Sequence, residues 1–157
     1  MGENGLKKYI LDTNVFNQVL DGEIDVKRFQ GNKLFATHVQ FDELQETPDS
    51  VRREKLVSVF TWIGPKQIPT ESAVWGVSKW GEVKWSDGVK FFETILARLK
   101  ELDIRSKKTK KPKNQSRDIL IAVTAIKQKL VLITNDKNLT IVTQEFGGQV
   151  EDFRDAQ

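Results

Sequence analysis

Four acidic residues stand where their neighbours suit them for shared chemistry: Asp12, Glu43, Asp118 and Asp136. Asp12 ends the apolar run Tyr9-Ile10-Leu11 and leads into Thr13-Asn14. Asp136 follows the apolar run Leu130-Val131-Leu132-Ile133, within Thr134-Asn135-Asp136. Asp118 opens the periodic stretch Ile119 to Ile126, and Glu43 lies in an expected helix after the strand Leu34-Phe35-Ala36. Residues just past the C-terminal ends of parallel strands line one crevice. Carboxylates gathered there repel one another, and a divalent cation relieves that repulsion. With no Cys and one His in the chain, the available ligands are oxygens, which suit a hard cation such as Mg²⁺. Asp12, Asp118 and Asp136 are the candidate metal ligands, and Glu43 joins them as a catalytic carboxylate. A bound ion of this kind activates water and polarises a phosphoryl oxygen.

A phosphodiester substrate also calls for positive charge. From Arg105 to Arg117 there are seven Lys/Arg and no acid. Lys107, Lys108, Lys110, Lys111, Lys113 and Arg117 are the candidate contacts to a phosphodiester backbone. An acidic pocket with a cation and a basic rim describes a nuclease better than a glycosidase, which uses a carboxylate pair without metal. Asn14 and Thr134 are candidates for orienting the carboxylates or their waters. Plainer roles exist for the same residues. Asp12 and Asp136 suit helix N-caps, Asp118 suits the positive end of a helix, and Asp42 or Glu46 could take the place of Glu43. His38, the one histidine, reads as a helix-start residue rather than a ligand or base.

The elements that must position these residues follow from patterning. Strands are expected at 8–11, 33–36 and 130–133, with a short last strand near Val150. Helices are expected at 13–20 and about 24–29, split by Asp21-Gly22. Thr37 and Gln40 match a capping box at the start of the helix that carries Glu43. A further helix is expected to follow Pro48 and run to about Ile63, where Gly64-Pro65 breaks it. Ser86 is a candidate cap for the next one, whose Phe92, Ile95, Leu96 and Leu99 follow the spacing of one buried stripe. Residues 105–117 read as an exposed basic loop, Ser116 to Lys129 as a helix, and Lys137 to Phe146 as another. Residues 64–86 read as a loop-rich insertion. Trp75, Trp80 and Trp85 there recur every five residues, matching neither a helical nor a strand face. They suit covering the core, or stacking on bases at ~1–3 kcal/mol each, with Lys79 and Lys84 beside them.

Strands alternating with helices imply right-handed crossovers and a mostly parallel sheet. The expectation is an α/β fold with three α/β/α layers in a single domain over 1–157. A chain that is 38% hydrophobic buries a proper core. The lack of Cys excludes a disulfide framework, a thiolate nucleophile and a Cys-ligated zinc, and it fits a reducing cytoplasm. No apolar stretch approaches the roughly 18 residues of a membrane span. The apolar segment after Lys7-Lys8 is interrupted at Asp12, unlike a secretory signal.

The segments Ile10-Leu11-Asp12-Thr13-Asn14-Val15, Glu43, Asp118-Ile119-Leu120-Ile121-Ala122-Val123-Thr124-Ala125 and Leu132-Ile133-Thr134-Asn135-Asp136 resemble the four acidic motifs of PIN domains. Many small members of that family are bacterial toxin ribonucleases of the virulence-associated type. The resemblance covers about residues 8 to 150. It implies Mg²⁺- or Mn²⁺-dependent cleavage of single-stranded RNA, leaving a 5′-phosphate and a 3′-hydroxyl. It also brings an antitoxin protein and a homodimer into view as partners. Residues 64–86 and the Lys-rich loop are longer than in the shortest toxin members. Two rival readings remain open. One is a PIN-like module that holds RNA or a protein without cutting. The other is a phosphatase with Asp12 as nucleophile, whose usual second Asp is Asn14 here.

Overall fold

A computed structural model describes residues 7–70 and 87–154. Its elements are β1 (Lys8–Leu11), α1 (Thr13–Leu20), a 3₁₀ turn (Val26–Phe29), β2 (Lys33–Ala36), α2 (His38–Gln45), α3 (Ser50–Ile63), β3 (Lys66–Gln67), α4 (Asp87–Arg105), α5 (Pro112–Gln128), β4 (Val131–Ile133), α6 (Lys137–Glu145) and β5 (Gln149–Glu151). The strands form one sheet in the order β3-β2-β1-β4-β5, and every pair is parallel. This is the three-layer α/β/α arrangement, because alternate strand residues feed two separate cores. Ile10 and Leu132 pack with Ile95, Leu99, Ile119, Val123 and Leu139 under α4, α5 and α6. Tyr9, Leu11, Val131 and Ile133 pack with Phe16, Leu56 and Phe60 under α1 and α3. The helix α2 serves both cores, giving Val39 to one and Leu44 to the other.

Three expectations change. The helix after the basic stretch begins at Pro112, four residues before Ser116, with Pro in its first turn. Proline is pre-organised there, since its fixed φ is helical and its missing N–H is one that a helix start leaves unpaired. The exposed basic loop is therefore 106–111, and Lys113 and Arg117 ride on α5. The second expected helix of the N-terminal part is only the 3₁₀ turn Val26–Phe29. The expected loop-rich insertion begins with β3, which pairs with β2 through Phe35↔Lys66 and Ala36↔Gln67. Trp75, Trp80, Trp85, Lys79, Lys84 and Ser86 lie outside the described residues.

The turn from α6 into β5 has no spare room. A Cβ on Gly148 would meet Thr143 Cγ2 at 2.6 Å, Ile126 Cγ1 at 2.9 Å and the Thr143 carbonyl oxygen at 3.0 Å. The last of these is backbone and cannot rotate away. Gly148→Ala is expected to destabilise the fold by about 1–3 kcal/mol through overpacking. Urea unfolding checks it, and a loss within experimental error would show that α6 can shift at no cost.

Candidate active site

The sheet order creates the site. From β1 the chain works outward to β2 and β3, then returns to place β4 and β5 on the other side of β1. Helices leave β1 and β4 on opposite faces, so a crevice opens beyond their carboxyl ends. Asp12 directly follows β1, and its N–H donates to the Ile133 carbonyl at 2.9 Å, which continues the ladder one residue past the strand. Thr134 to Asp136 follow β4 in the same way. Glu43 comes from α2, the helix after β2. Asp118 comes from the second turn of α5. A cavity of about 570 Å³ is lined by all four acids together with Asn14, Lys108, Lys110, Asn114, Asn135 and Lys137.

Local hydrogen bonds set the acids in place. The Thr134 hydroxyl donates to Asp12 Oδ2 at 2.7 Å and accepts the Asp136 N–H at 3.1 Å. Asp136 caps α6, accepting the Leu139 N–H at 3.1 Å, so its capping role and its place in the cavity coexist. Asp12 stands at the N-cap of α1 but makes no side-chain cap bond. Asp118 lies too far inside α5 for the helix-start role, because that effect fades within the first turn. The capping box at Thr37 forms as expected, and the Gln40 amide also donates to the Leu11 carbonyl at 2.9 Å. That bond ties α2 to the end of β1 and places Glu43, one turn on, over the cavity. Asn14 instead donates to Asn135 Oδ1 at 3.3 Å and makes no hydrogen bond to a carboxylate among the described residues.

The neighbouring acids are accounted for. Asp42 pairs with His38 at 3.0 Å on an exposed face. Glu46 is exposed and accepts from Lys113 and Arg117, and the Arg117 bonds bring its carboxyl down to about 2. Neither lines the cavity, which leaves Glu43 as the acid that α2 contributes.

The electrostatics are uneven. Burial raises the proton affinity of Asp118 well above the ordinary carboxylate value, and the charge of Asp12 adds to it, while Lys110 opposes both. Burial likewise raises Asp12, against the Thr134 hydrogen bond and Lys110. Burial and Asp12 raise Glu43. Burial would raise Asp136 too, but Lys108, the Leu139 N–H and Lys110 together hold it below its usual value. Lys108 Nζ lies 2.9 Å from Asp136 Oδ1. Lys110 Nζ bonds Asp118 and sits 3.2 Å from Asp136 Oδ2. The two lysines read from the sequence as backbone contacts thus turn into the cavity. Lys107 and Lys111 have no side-chain partner among the described residues.

The donor set fits a hard divalent cation. It is all oxygen, it carries excess negative charge, and Glu43 Oε1 is buried with no hydrogen-bond partner among the described residues. As the side chains stand, no three acids among the described residues already enclose an ion. The ammonium of Lys110 lies between two of them.

Sequence reasoning missed a second polar cluster beneath the site. Asp103 is buried and accepts from Gln115 and from Asn138, each at 2.8 Å. Asn138 also donates to Ser106 Oγ at 2.8 Å, and the Lys108 N–H donates to the Asp103 carbonyl at 2.9 Å. The signal was present: Asp103 continues the stripe of Ile95, Leu96 and Leu99, and an acid on an apolar stripe calls for buried partners.

No protein-family model and no curated protein matches the chain. Solved structures do. VapBC2 from Rickettsia felis, bound to a DNA fragment from their promoter, contains a chain that aligns at TM-score 0.50 and 15% identity, over 92% of this chain and 98% of that one. VapBC-1 from nontypeable Haemophilus influenzae aligns at TM-score 0.54 and 13% identity, over 93% and 98%. VapBC-5 from Mycobacterium tuberculosis, a member of the VapBC family of toxin-antitoxin systems, aligns at 0.50 and 18% identity, over 94% and 98%. At this identity the likeness establishes the fold, which is PIN-like along nearly the whole chain.

The raised carboxyls make a stability prediction. A group whose proton affinity is higher folded than unfolded stabilises the fold while protonated and loses that contribution as pH rises through its folded value. Asp118 is such a group, starting from an ordinary value of 3.8. In EDTA, Asp118→Asn should therefore melt higher than the parent at neutral pH, with the gap closing as pH falls toward about 4. A variant that melts lower at every pH would mean that the Asp118–Lys110 bond outweighs the burial cost.

Proposed function

We propose that this protein is a metal-dependent endoribonuclease that hydrolyses RNA phosphodiesters, and that it is the toxin of a toxin–antitoxin pair. The observation that carries the catalytic part is the convergence of Asp12, Glu43, Asp118 and Asp136, from four different elements, on one cavity where three of them are destabilised as anions. A scaffold without chemistry to do gains nothing from that arrangement. The toxin part is supported by the fold shared along nearly the whole chain with chains of VapBC structures. An antitoxin protein is then the partner, and a homodimer and a cytoplasmic setting suit the same role. No helix among the described residues is long and apolar enough to cross a membrane.

Asp12, Asp118 and Asp136 would hold Mg²⁺ or Mn²⁺, which supplies a polarised phosphoryl oxygen and a more acidic water. Glu43 has an unpartnered, buried oxygen and a raised proton affinity, which suits it to hold that water and take its proton. Thr134 keeps Asp12 Oδ2 in a fixed direction. Asn14 steadies the cavity wall through Asn135. Lys107 and Lys111 meet the RNA backbone at the rim, with Lys113 and Arg117 one step further along α5. The phosphatase alternative lacks its second acid, since the position two residues after Asp12 is Asn14.

Asp12→Asn and Asp118→Asn should each lower cleavage of single-stranded RNA in Mg²⁺ by at least about 100-fold while the protein stays folded. Thr134→Ala should lose about 10- to 100-fold and recover partly at high Mg²⁺, because it orients a ligand without being one. Unchanged cleavage in excess EDTA would exclude this mechanism. RNA binding without cleavage in any divalent metal would favour the non-cutting module.

Lys107→Gln and Lys111→Gln should each reduce the slope of log K against log [salt] for RNA binding by about 0.7. An unchanged slope in the double variant would place the RNA path elsewhere.

A further inference from the structure

We propose that Lys110 is an internal counter-ion which a divalent cation displaces, so that loading the metal and presenting an ammonium group to the RNA are one event. This rests on the metal-dependent reading above.

The first observation is positional. Lys110 Nζ bonds Asp118 Oδ2 and lies 3.2 Å from Asp136 Oδ2. An ion shared by those two carboxylates needs oxygens at about 2.0–2.6 Å, in the same space. Two cations cannot occupy it together. The second observation is that Lys110 is set apart from Lys107 and Lys111, and that of the two lysines turned into the cavity it is the one bonded to both Asp118 and Asp136. Its side chain is 28% exposed, while Lys107 and Lys111 are exposed and make no side-chain pair among the described residues. The third concerns the root of the loop. The Asp103 cluster fixes Ser106 and the Lys108 N–H, and Pro112 opens α5 just beyond. The ends of 106–111 are held, so the flexible four-carbon stem of the lysine side chain supplies the movement. A displaced ammonium swings toward the rim, beside Lys107 and Lys111. There it adds a phosphate contact that exists only when the metal is in place.

Two consequences follow. Removing the Lys110 charge frees the carboxylates and tightens metal binding. Metal and RNA also raise each other's affinity by an equal factor through Lys110, as linkage requires.

The test uses the full chain and Mn²⁺, with free ion followed by EPR in the absence of RNA. Lys110→Gln is expected to bind Mn²⁺ about 10-fold more tightly than the parent, and Lys110→Arg, which keeps the charge, far closer to the parent. Asp118→Asn should lose the site. In a Glu43→Gln background, Mn²⁺ should tighten binding of a single-stranded RNA oligonucleotide. That gain should shrink at least about 5-fold when Lys110→Gln is added. If Mn²⁺ binds through Asp118 but Lys110→Gln binds it no more tightly, displacement is wrong and the metal site stands. If no form binds Mn²⁺, the metal reading itself fails and takes the inference with it. Should Lys110→Gln not fold, ¹³Cε NMR of lysines in the parent decides the matter. Mg²⁺ should move the Lys110 signal to the position of exposed lysines, and binding without that movement overturns the proposal.

Discussion

Asp12 and Asp118 are each at most 6% exposed; burial makes both harder to ionise, the charge of Asp12 adds to this at Asp118, and that of Asp136 adds to it at Asp12. Taking a charge out of water costs several kcal/mol per ion even after relaxation. A domain of this kind is stable by only about 5–15 kcal/mol in total. Two such anions without compensation would consume a large part of that margin, so the carboxyl end of the sheet has to be built around their neutralisation. Thr134 donates to one, Lys110 reaches the other, and Lys108 and Lys110 together stabilise Asp136 as an anion. The lysine loop is therefore part of the acidic site as much as part of any nucleic-acid surface.

The same demand explains where the rigid parts lie. Three of the acids sit on elements locked by the sheet or by buried hydrogen bonds: Asp12 through the Ile133 carbonyl, Asp136 through its cap on α6, and Glu43 through the Gln40–Leu11 tie. Asp118 projects from a helix whose Ile119, Ile121, Ala122 and Val123 are fully buried. The Asp103 cluster then fastens α4, α5 and α6 to one another just below. Against this fixed set the neutralising groups are lysines, the side chains with the longest flexible stems. Fixed anions with movable cations favour exchange of one cation for another, and a rigid ammonium would not allow it.

Much of this was legible because the relevant signals are local. Asp12 and Asp136 each follow an apolar run that ends in polar residues, which marks a strand end. The parallel sheet then follows from alternation of strands and helices. The periodicity that begins at Ile119 marks Asp118, but it does not mark the start of its helix at Pro112. Residues 112–116 are Pro, Lys, Asn, Gln and Ser, a composition that reads as loop, and only packing reveals Gln115 as a buried partner of Asp103. β3 is two residues long and carries no periodicity of its own. The inward turn of Lys108 and Lys110 depends on Asp136 and Asp118, which lie up to 28 residues away, so no local pattern encodes it.

The polybasic stretch shows why charge counted along a sequence differs from charge available to a ligand. Arg105 pairs with Glu101, Lys113 and Arg117 pair with Glu46, and Lys108 and Lys110 serve the cavity acids. Only Lys107 and Lys111 stand without a side-chain partner among the described residues. Exposed pairs such as Lys113–Glu46 are worth about 0–1 kcal/mol, so a phosphate can take those cations at little cost. The pairs made by Lys110 are half-buried against anions that need them, and it can leave only when another cation arrives. Under the proposed function, one run of like charge would divide into groups that RNA alone releases and a group that metal releases. The division follows from the burial of the paired acids, Glu46 being exposed and Asp118 and Asp136 buried or nearly so, rather than from residue type.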